Sequence, residues 1–317
     1  MGHHRRTLIL TLLVLSLANA LPAADRFQFY APPGGVYANA SFEQDRVVEV
    51  TVTVEHEGAA VPSWFIAVTA GAAGVFDPRE LSQGTDAVLY QIYGSAPPSS
   101  DILKAPPSVL TAANVITSSA FGSVAATPEL ESFTLYVSVP AGQFQPSGEY
   151  TDAVELRLYE GDYADAGTHV LADTANVNVT GRMAEIVDIA ADREPGIRSM
   201  NLTTTVAGRL IATVRERSNS RTGYTVTLTS ANLAADTSGA TQPFLAHVSA
   251  AATLPYSLTY GGSPAGSWTS GSALVTDSLA ITAPEWISRE LRISYSGSPT
   301  LAAGDYEDQI ILTISAK

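Results

Sequence analysis

Cysteine is absent from this chain of 317 residues, and lysine occurs only twice, at Lys104 and Lys317. The missing thiols exclude disulfide bonds, thiolate metal sites and cysteine nucleophiles. Asp and Glu (31) outnumber Lys and Arg (17), which gives a formal net charge of −14. Because nucleic acids and anionic lipid surfaces both require clustered positive charge, this balance argues against either as a partner.

Long helical patterns are also missing beyond residue 25. The chain instead contains short alternating runs of Val, Thr, Ile, Tyr and Leu, bounded by Gly, Pro, Asn and Ser. So many short strands at this spacing predict an all-β fold built from antiparallel sandwiches. We expect helical structure only as single turns, around 78–81 or 111–114. The predicted strands are 47–54, 64–70, 87–94, 132–139, 152–159, 175–181, 202–214, 223–230, 254–262, 290–297 and 308–315.

The amino terminus has the layout of an export signal. A basic segment at 1–6 precedes an apolar run of twelve residues at 7–18, and the small-x-small triplet Ala18-Asn19-Ala20 follows. This order is typical of a cleaved signal peptide, and twelve residues are fewer than the about 20 that a membrane-spanning helix needs. We therefore predict a signal peptide at 1–20 and an exported mature protein without membrane insertion.

Three strand-like segments recur in the same order in the two halves of the chain. They are separated by offsets of 156, 166 and 160 residues. A tandem of two copies is too short for a solenoid, so each copy must bury its own core. We predict homologous domains at 25–181 and 182–317, joined near 181–186. The matching segments are GEYTDAVELRL (148–158) with GDYEDQIILTI (304–314), LYQIYG (89–94) with PYSLTYGG (255–262), and WFIAVTAG (64–71) with YTVTLTSA (224–231).

The first of these repeats predicts a strand with a defined inner face. Gly148 and Gly304 suit a turn with positive φ, and we expect the tyrosine that follows to bond loop backbone at a sandwich corner. Asp152 and Asp308 are expected to be structural caps that accept hydrogen bonds from local backbone N–H groups. Because side chains alternate along a strand, the predicted inner faces are Tyr150, Asp152, Val154, Leu156 and Leu158, and Tyr306, Asp308, Ile310, Leu312 and Ile314.

These segments resemble the spore coat protein U domain family and the subunits of archaic chaperone–usher pili. The resemblance rests on LYQIYG and LYVSVPAGQFQPSGEYTDAVELRLY in the first half, and on SNSRTGYTVTLTSAN, LPYSLTYGG and PTLAAGDYEDQIILTISA in the second. It implies an immunoglobulin-like sandwich that lacks its last strand, which a chaperone and later a neighbouring subunit supply. Many relatives carry a cysteine pair that is missing here. The implied partners are a periplasmic pilus chaperone, an outer-membrane usher and neighbouring pilus subunits, and the implied location is the cell surface.

The two halves differ at their ends in a way that bears on strand donation. The alternating pattern of 308–315 runs almost to Lys317, so we expect the inner face from Tyr306 to Ile314 to line an open assembly groove. In the first half, 168–181 follows the matching strand and can return as a closing strand. We predict one closed and one open domain, the layout of a tip subunit. Alternatively, Phe27, Phe29 and Ala31 form a donor strand for another subunit, or they are simply the first strand of their own domain.

Two proline-rich loops are candidate adhesive surfaces, at 30–37 and 93–110. Stiff loops lose little conformational entropy on contact, so we expect them to bind a host or abiotic surface through Tyr30, Val36, Tyr37, Ile102 and Leu103. The alternative is that Ile102, Leu103, Val109 and Leu110 pack back on the sandwich.

Motifs for catalysis are missing from the sequence. It contains no nucleophile elbow, phosphate-binding loop or dinucleotide fingerprint, and His56, His169 and His247 lack metal-ligand spacing. We predict no cofactor, no metal and no enzymatic activity. The leading hypothesis is a secreted structural or adhesive subunit of a chaperone–usher pilus, at the tip or in a minor position. The alternative is a free-standing secreted β-sandwich that binds carbohydrate or a surface polymer.

Overall fold

The computed structural model describes residues 25–195, 200–279 and 285–317, and strands dominate all three ranges. The predicted signal peptide at 1–20 lies outside the described residues. The strands of the first half are β1 (Arg26–Tyr30), β2 (Gly35–Tyr37), β3 (Arg46–Gly58), β4 (Trp64–Val68), β5 (Arg79–Gln83), β6 (Asp86–Tyr93), β7 (Val124–Val139), β8 (Gly148–Glu160) and β9 (Val170–Met183).

These strands form a two-layered sandwich around one hydrophobic core. The first layer has the order β1-β3-β7, with antiparallel pairing throughout. The second layer has the order β4-β8-β9-β2. Its first two pairs are antiparallel, and the pair of β9 with β2 is parallel. Strand β6 crosses between the layers, because its first half pairs with β5 and its end pairs with β7. Alternate side chains from both layers enclose the first core, which extends from Phe29 to Met183.

Strand β4 is buried on both of its faces. Trp64, Ile66 and Val68 belong to the first core. The intervening Phe65 and Ala67 belong to a smaller cluster with Ala105, Leu110, Val115 and Tyr159. Part of the proline-rich segment at 93–110 therefore covers the outer face of this strand.

The second half of the chain adds eleven strands and a short helix within the described residues. They are β10 (Val187–Arg193), β11 (Val206–Ser218), β12 (Tyr224–Ser230), α1 (Ala231–Ala235), β13 (Phe244–His247), β14 (Thr253–Pro255), β15 (Ser257–Tyr260), β16 (Ser263–Pro264), β17 (Ser272–Ser278), β18 (Ile287–Tyr295), β19 (Tyr306–Glu307) and β20 (Ile310–Ala316).

The second half repeats the strand order of the first. Its larger sheet runs β10-β11-β18-β15-β16, which matches β1-β3-β7-β6 in the first half. Strand β12 pairs with β20 as β4 pairs with β8. Strand β13 pairs with β19 as β5 pairs with β8. Chain segments that align in sequence therefore occupy equivalent positions in two sandwiches.

Each sandwich has its own hydrophobic core. The second core extends from Val187 to Ile314 and shares no residue with the first. Strand β9 ends at Met183 and β10 begins at Val187, so three residues connect the two sandwiches. The predicted fold class of two tandem antiparallel β-sandwiches is confirmed.

In the described part of the chain, helical structure is limited to short turns, as expected, although one of the two expected positions is wrong. Ala112–Asn114 is a single 3₁₀ turn capped by Thr111. The segment around 78–81 instead enters β5, because the buried Arg79 guanidinium anchors it by donating to the carbonyl oxygens of Thr69 (3.0 Å) and Leu103 (2.6 Å). The helix α1 was not anticipated. None of the helices in the described ranges is long and apolar enough to cross a membrane.

Candidate functional site

The last strand, β20, has an unpaired edge. Its residues pair with β12 from Ile310 opposite Ser230 to Ala316 opposite Tyr224. On its other side, β20 has no ladder with any described strand. Its inner side chains Ile310, Leu312 and Ile314 remain only half-buried. An edge with unpaired backbone groups and exposed apolar side chains favours pairing with another strand.

The equivalent strand of the first sandwich is covered. Strand β8 pairs with β9 along its whole length on one side, and on the other side its residues 156–160 pair with β4. The matching inner side chains Val154, Leu156 and Leu158 are 2%, 1% and 0% exposed. The same sequence motif is thus buried in β8, which β9 covers, and half-exposed in β20, whose second edge pairs with none of the described strands.

Strand β10 forms the opposite wall of the opening in the second sandwich. Its inner side chains Val187 and Ile189 are half-buried and pack against the second core. Some Cα atoms of β10 and β20 come within 8 Å of each other, less than the about 9.6 Å that two strand spacings require. A strand inserted here must therefore widen the gap. We call the space bounded by Val187, Ile189, Ile310, Leu312 and Ile314 the β10–β20 groove.

All three repeated segments converge on one aspartate in each sandwich. Asp152 accepts hydrogen bonds from the Tyr90 hydroxyl (2.6 Å) and the Ala72 backbone N–H (2.8 Å). Asp308 accepts equivalent bonds from the Tyr256 hydroxyl (2.5 Å) and the Asn232 backbone N–H (3.0 Å). Each aspartate also accepts from the backbone N–H of the next residue, as expected. The long-range bonds to tyrosine were missed, although both tyrosines lie in segments that the repeat had aligned.

The tyrosines at these two positions remain neutral donors. Burial, supported by the hydrogen bond to the neighbouring carboxylate, raises the pKa of Tyr90 and of Tyr256 above the usual value of a tyrosine hydroxyl. A protonated hydroxyl donates to the carboxylate, whereas an ionised one would repel it. These bonds fix the start of the covered strand in the first sandwich and of the open strand in the second.

The corner tyrosines adopt the expected geometry. The Tyr150 hydroxyl donates to the carbonyl oxygen of Pro146 (2.6 Å), and that of Tyr306 donates to Ala302 (3.0 Å). Gly148 and Gly304 have φ angles of 145° and 147°, a region that L side chains rarely adopt. The same type of turn therefore precedes Tyr150 in the first sandwich and Tyr306 in the second.

A polar segment of the second sandwich, residues 217–221, holds the two sandwiches together. Arg221 donates to Asp86 (2.8 Å) and to the Tyr150 hydroxyl (3.1 Å) of the first sandwich. The buried Asn219 donates to the Gln145 carbonyl (3.1 Å). The sequence does not indicate this contact, because nothing in a local pattern shows which loops of two domains meet.

The candidate adhesive residues are divided between surface and core. Tyr30 and Tyr37 are 50% and 75% exposed, and Ile102 is half-buried. The expectation is wrong for Val36 and Leu103, which are buried. Val36 lies on β2, whose pairing with β9 directs this side chain into the first core. Leu103 is held there because its N–H donates to Ile92 and its carbonyl accepts from Arg79.

The amino-terminal strand β1 is part of its own sandwich. It pairs with β3 over five residues, from Arg26 to Tyr30, and the Phe29 side chain is buried in the first core. This placement corresponds to the alternative in which the segment is the first strand of its own domain.

Within the described ranges, no group of three or more His, Asp or Glu side chains could hold a metal ion. The three histidines of these ranges instead contact aromatic rings. His56 stacks on Phe121, His169 contacts the Phe65 ring, and His247 contacts the Tyr306 ring.

The chain is similar to one known domain family and, in its fold, to subunits of bacterial surface fibres. Residues 36–157 match the Spore Coat Protein U domain, which confirms that resemblance for this part of the chain. No curated protein matches the sequence. One similar structure is the CsuC–CsuE chaperone–tip adhesion subunit complex from archaic chaperone–usher Csu pili of Acinetobacter baumannii, with 10% identity, coverage of 90% of this chain and 99% of that chain, and a TM-score of 0.40. Another is CfaE, the adhesive subunit of CFA/I fimbria of enterotoxigenic Escherichia coli, with 13% identity, coverage of 92% and 93%, and a TM-score of 0.36.

Proposed function

Because residues 36–157 match the Spore Coat Protein U domain, we propose that this chain is a structural or adhesive subunit of a surface pilus of the chaperone–usher type. Its second sandwich is completed by a strand from another chain, which enters the β10–β20 groove. The observation that carries this proposal is the contrast between buried Val154, Leu156 and Leu158 and half-exposed Ile310, Leu312 and Ile314.

A donated strand would stabilise the second sandwich by burying these half-exposed side chains. Complete burial of one aliphatic side chain stabilises a protein by about 1.5–3 kcal/mol, and the unpaired backbone of β20 gains a hydrogen-bonded partner when a strand is added. An edge of this kind promotes aggregation if it stays open. A donated strand removes the liability and joins subunits at the same time.

The first sandwich completes itself in this proposal. The expected division into 25–181 and 182–317 moves to the segment between Met183 and Val187, because β9 extends to Met183, which is buried in the first core. Strand β9 covers β8, and the family match ends at residue 157, before β9 begins. The chain would thus have one groove, which suits a tip or minor subunit that receives a strand. Because β1 is used within its own sandwich, it is not free to act as a donor.

The partners in this proposal are a periplasmic chaperone, an outer-membrane usher and the neighbouring subunit that donates the strand. The protein would be exported to the cell surface. The exposed Tyr30 and Tyr37, with Val109, would be available for contact with a host or abiotic surface.

A synthetic peptide tests the groove directly. A peptide with the sequence of β9, residues 170–183, is expected to bind residues 21–317 in a 1:1 complex, because β9 covers the equivalent strand of the first sandwich. Isothermal titration calorimetry and native mass spectrometry measure the affinity and the stoichiometry.

The control peptide carries Val177→Asp and Val179→Asp. These substitutions place charges on the core-facing side of the strand, and a shift in register does not restore the apolar face. We expect it to bind at least about tenfold more weakly. If neither peptide binds and the protein is a stable monomer, the groove does not accept strands and the free-standing carbohydrate-binding alternative gains support.

A further inference from the structure

A cavity of about 700 Å³ lies in the first sandwich, beside the residues that connect it to the second. Its lining comes from the segment that follows β2 (39–43), from the start of β3 (46–48), and from the end of β9 with the connection (182–184 and Ile186). A preformed space at the junction of two domains is a common place for a ligand. The residues that bound the β10–β20 groove do not line it, so the two features are separate.

The aromatic wall of this cavity is held from both sandwiches. Phe42 lines the cavity, and its ring packs edge-on against that of Phe144, with centroids 5.6 Å apart. The Arg217 guanidinium of the second sandwich lies 5.3 Å from the centre of the Phe42 ring and 4.8 Å from that of Trp286. The Gly142 N–H also donates to the Phe42 carbonyl oxygen (2.9 Å). Because the wall is fixed in advance, a ligand needs little ordering of the protein when it binds.

Two arginines with available guanidinium groups line the cavity. Arg46 and Arg182 are exposed, and among the described residues neither side chain has a hydrogen bond or an ion pair. Glu43 lines the same cavity, and Glu149 lies opposite Arg182 in the ladder between β8 and β9, yet neither carboxylate pairs with these arginines. A guanidinium binds a carboxylate through two parallel N–H bonds. The cavity can therefore hold the carboxylates of a ligand.

An exposed aromatic ring and an amide lie on the same sheet face as Arg182. Strand β2 runs parallel to β9, and the pairing continues past β2 because the Ala40 N–H donates to the Arg182 carbonyl oxygen (3.1 Å). Buried and exposed residues alternate over 36–40, so Tyr37 and Asn39 point outward. An aromatic ring packs on the apolar face of a sugar, and an amide bonds its hydroxyl groups. This combination favours a carbohydrate over a simple anion.

We propose that this cavity binds an acidic carbohydrate, in which Arg46 and Arg182 hold the carboxylates of uronic acid units and Tyr37 stacks on a sugar ring. The two arginines come from β3 and β9, which belong to different layers of the sandwich. The site therefore suits a chain of several charged sugars. This ligand goes beyond the proposed function, because strand donation to the second sandwich does not require it.

Titration calorimetry of residues 21–317 with tetragalacturonate tests the site. Arg46→Gln and Arg182→Gln are each expected to weaken binding at least about tenfold, because each removes a charge-assisted pair of hydrogen bonds. Tyr37→Ala should weaken it at least about fivefold through loss of the stacked ring. Arg193→Gln is the matched control: this exposed arginine lies on β10 and does not line the cavity, so affinity should stay within about twofold. Circular dichroism verifies that each variant is folded.

Two further probes separate a carbohydrate site from a general anion site. Maltotetraose has the same number of sugar rings without carboxylates and should bind at least about tenfold more weakly than tetragalacturonate. Inorganic sulfate at the same concentration should not displace tetragalacturonate. Equal binding of maltotetraose, or displacement by sulfate, overturns the inference.

The remaining outcomes distinguish this site from the β10–β20 groove. If tetragalacturonate does not bind, or if it binds both arginine variants as it binds the natural sequence, the inference is wrong. Neither result affects the proposed function, because the peptide of residues 170–183 enters the other groove. Its affinity should be the same for Arg46→Gln, Arg182→Gln and the natural sequence.

Discussion

A chain extended after Lys317 by a copy of its own residues 161–183 is expected to unfold its second sandwich at a temperature at least about 10 °C above that of the unextended chain. The copy includes the nine residues that connect β8 to β9 in the first sandwich, followed by β9 itself. It can therefore fold back along β20 as β9 does along β8. Differential scanning calorimetry measures the transition.

The expected increase comes from burial of apolar surface in the β10–β20 groove. The core-facing residues of β9 are Ala175, Val177, Val179 and Met183, all buried in the first sandwich. Together they represent on the order of 5 kcal/mol of transfer free energy before the cost of ordering the strand. A net gain of about 3 kcal/mol raises the midpoint of a domain of this size by roughly 10 °C.

The control extension carries Val177→Asp and Val179→Asp in the copied strand. These charges cannot enter the second core without an unfavourable desolvation, so this extension should leave the transition unchanged. Equal increases from both extensions would mean that the added segment stabilises the chain without entering the groove. The unfolding temperature of the first sandwich should be unchanged in both extended chains.

Replacement of Asp152 or Asp308 by alanine is expected to lower the free energy of unfolding of the sandwich that contains it by about 3–5 kcal/mol. In Asp308→Ala, the hydroxyls of Tyr256 and Ser230 and the Asn232 N–H lose their acceptor. Each buried donor left unsatisfied costs about 1–3 kcal/mol. Asp152→Ala leaves the buried Tyr90 hydroxyl without its acceptor, whereas the Ala72 N–H belongs to an exposed residue, so the effect of this substitution should lie at the lower end of the range. Urea titration, followed by tryptophan fluorescence and circular dichroism, measures both transitions.

Asp305→Ala is the matched control for these substitutions. Asp305 is exposed and lies three residues before Asp308, so its replacement should change the free energy of unfolding by no more than about 0.5 kcal/mol. If Asp152→Ala and Asp308→Ala each lower the free energy of unfolding by less than about 1 kcal/mol, the hydrogen bonds that join the three repeated segments at these aspartates have little influence on stability.

The sequence predicted the strand faces and the corner turns because these depend on local periodicity. The alternation from Tyr150 to Leu158 and the glycine before each tyrosine are sufficient to predict a strand that begins at a turn. The repeat also aligned the segments that contain Tyr90 and Tyr256. It could not predict that these tyrosines bond to Asp152 and Asp308, because strands distant in sequence come together only through the topology of the sandwich.

Other features depended on packing that a linear pattern does not contain. Val36 and Leu103 lie in proline-rich loops that look exposed, yet backbone bonds to β9 and β6 turn them inward. Strand β10 was missed because its alternation is short: only Val187 and Ile189 form an apolar face, and Ala190, Ala191 and Asp192 do not continue it. The contact of Arg221 with the first sandwich depends on how two domains meet. These are tertiary effects, which override local propensity.

Amide hydrogen exchange along β20 tests the central claim most directly, namely that this strand has an open edge until another chain fills it. In residues 21–317 alone, the alternate amides of β20 that point away from β12 should exchange at least about 100-fold faster than the equivalent amides of β8. Addition of the peptide of residues 170–183 should slow them to the rate of β8. Equal protection of β8 and β20 without any added strand would contradict the account, because it would mean that the second sandwich is already complete.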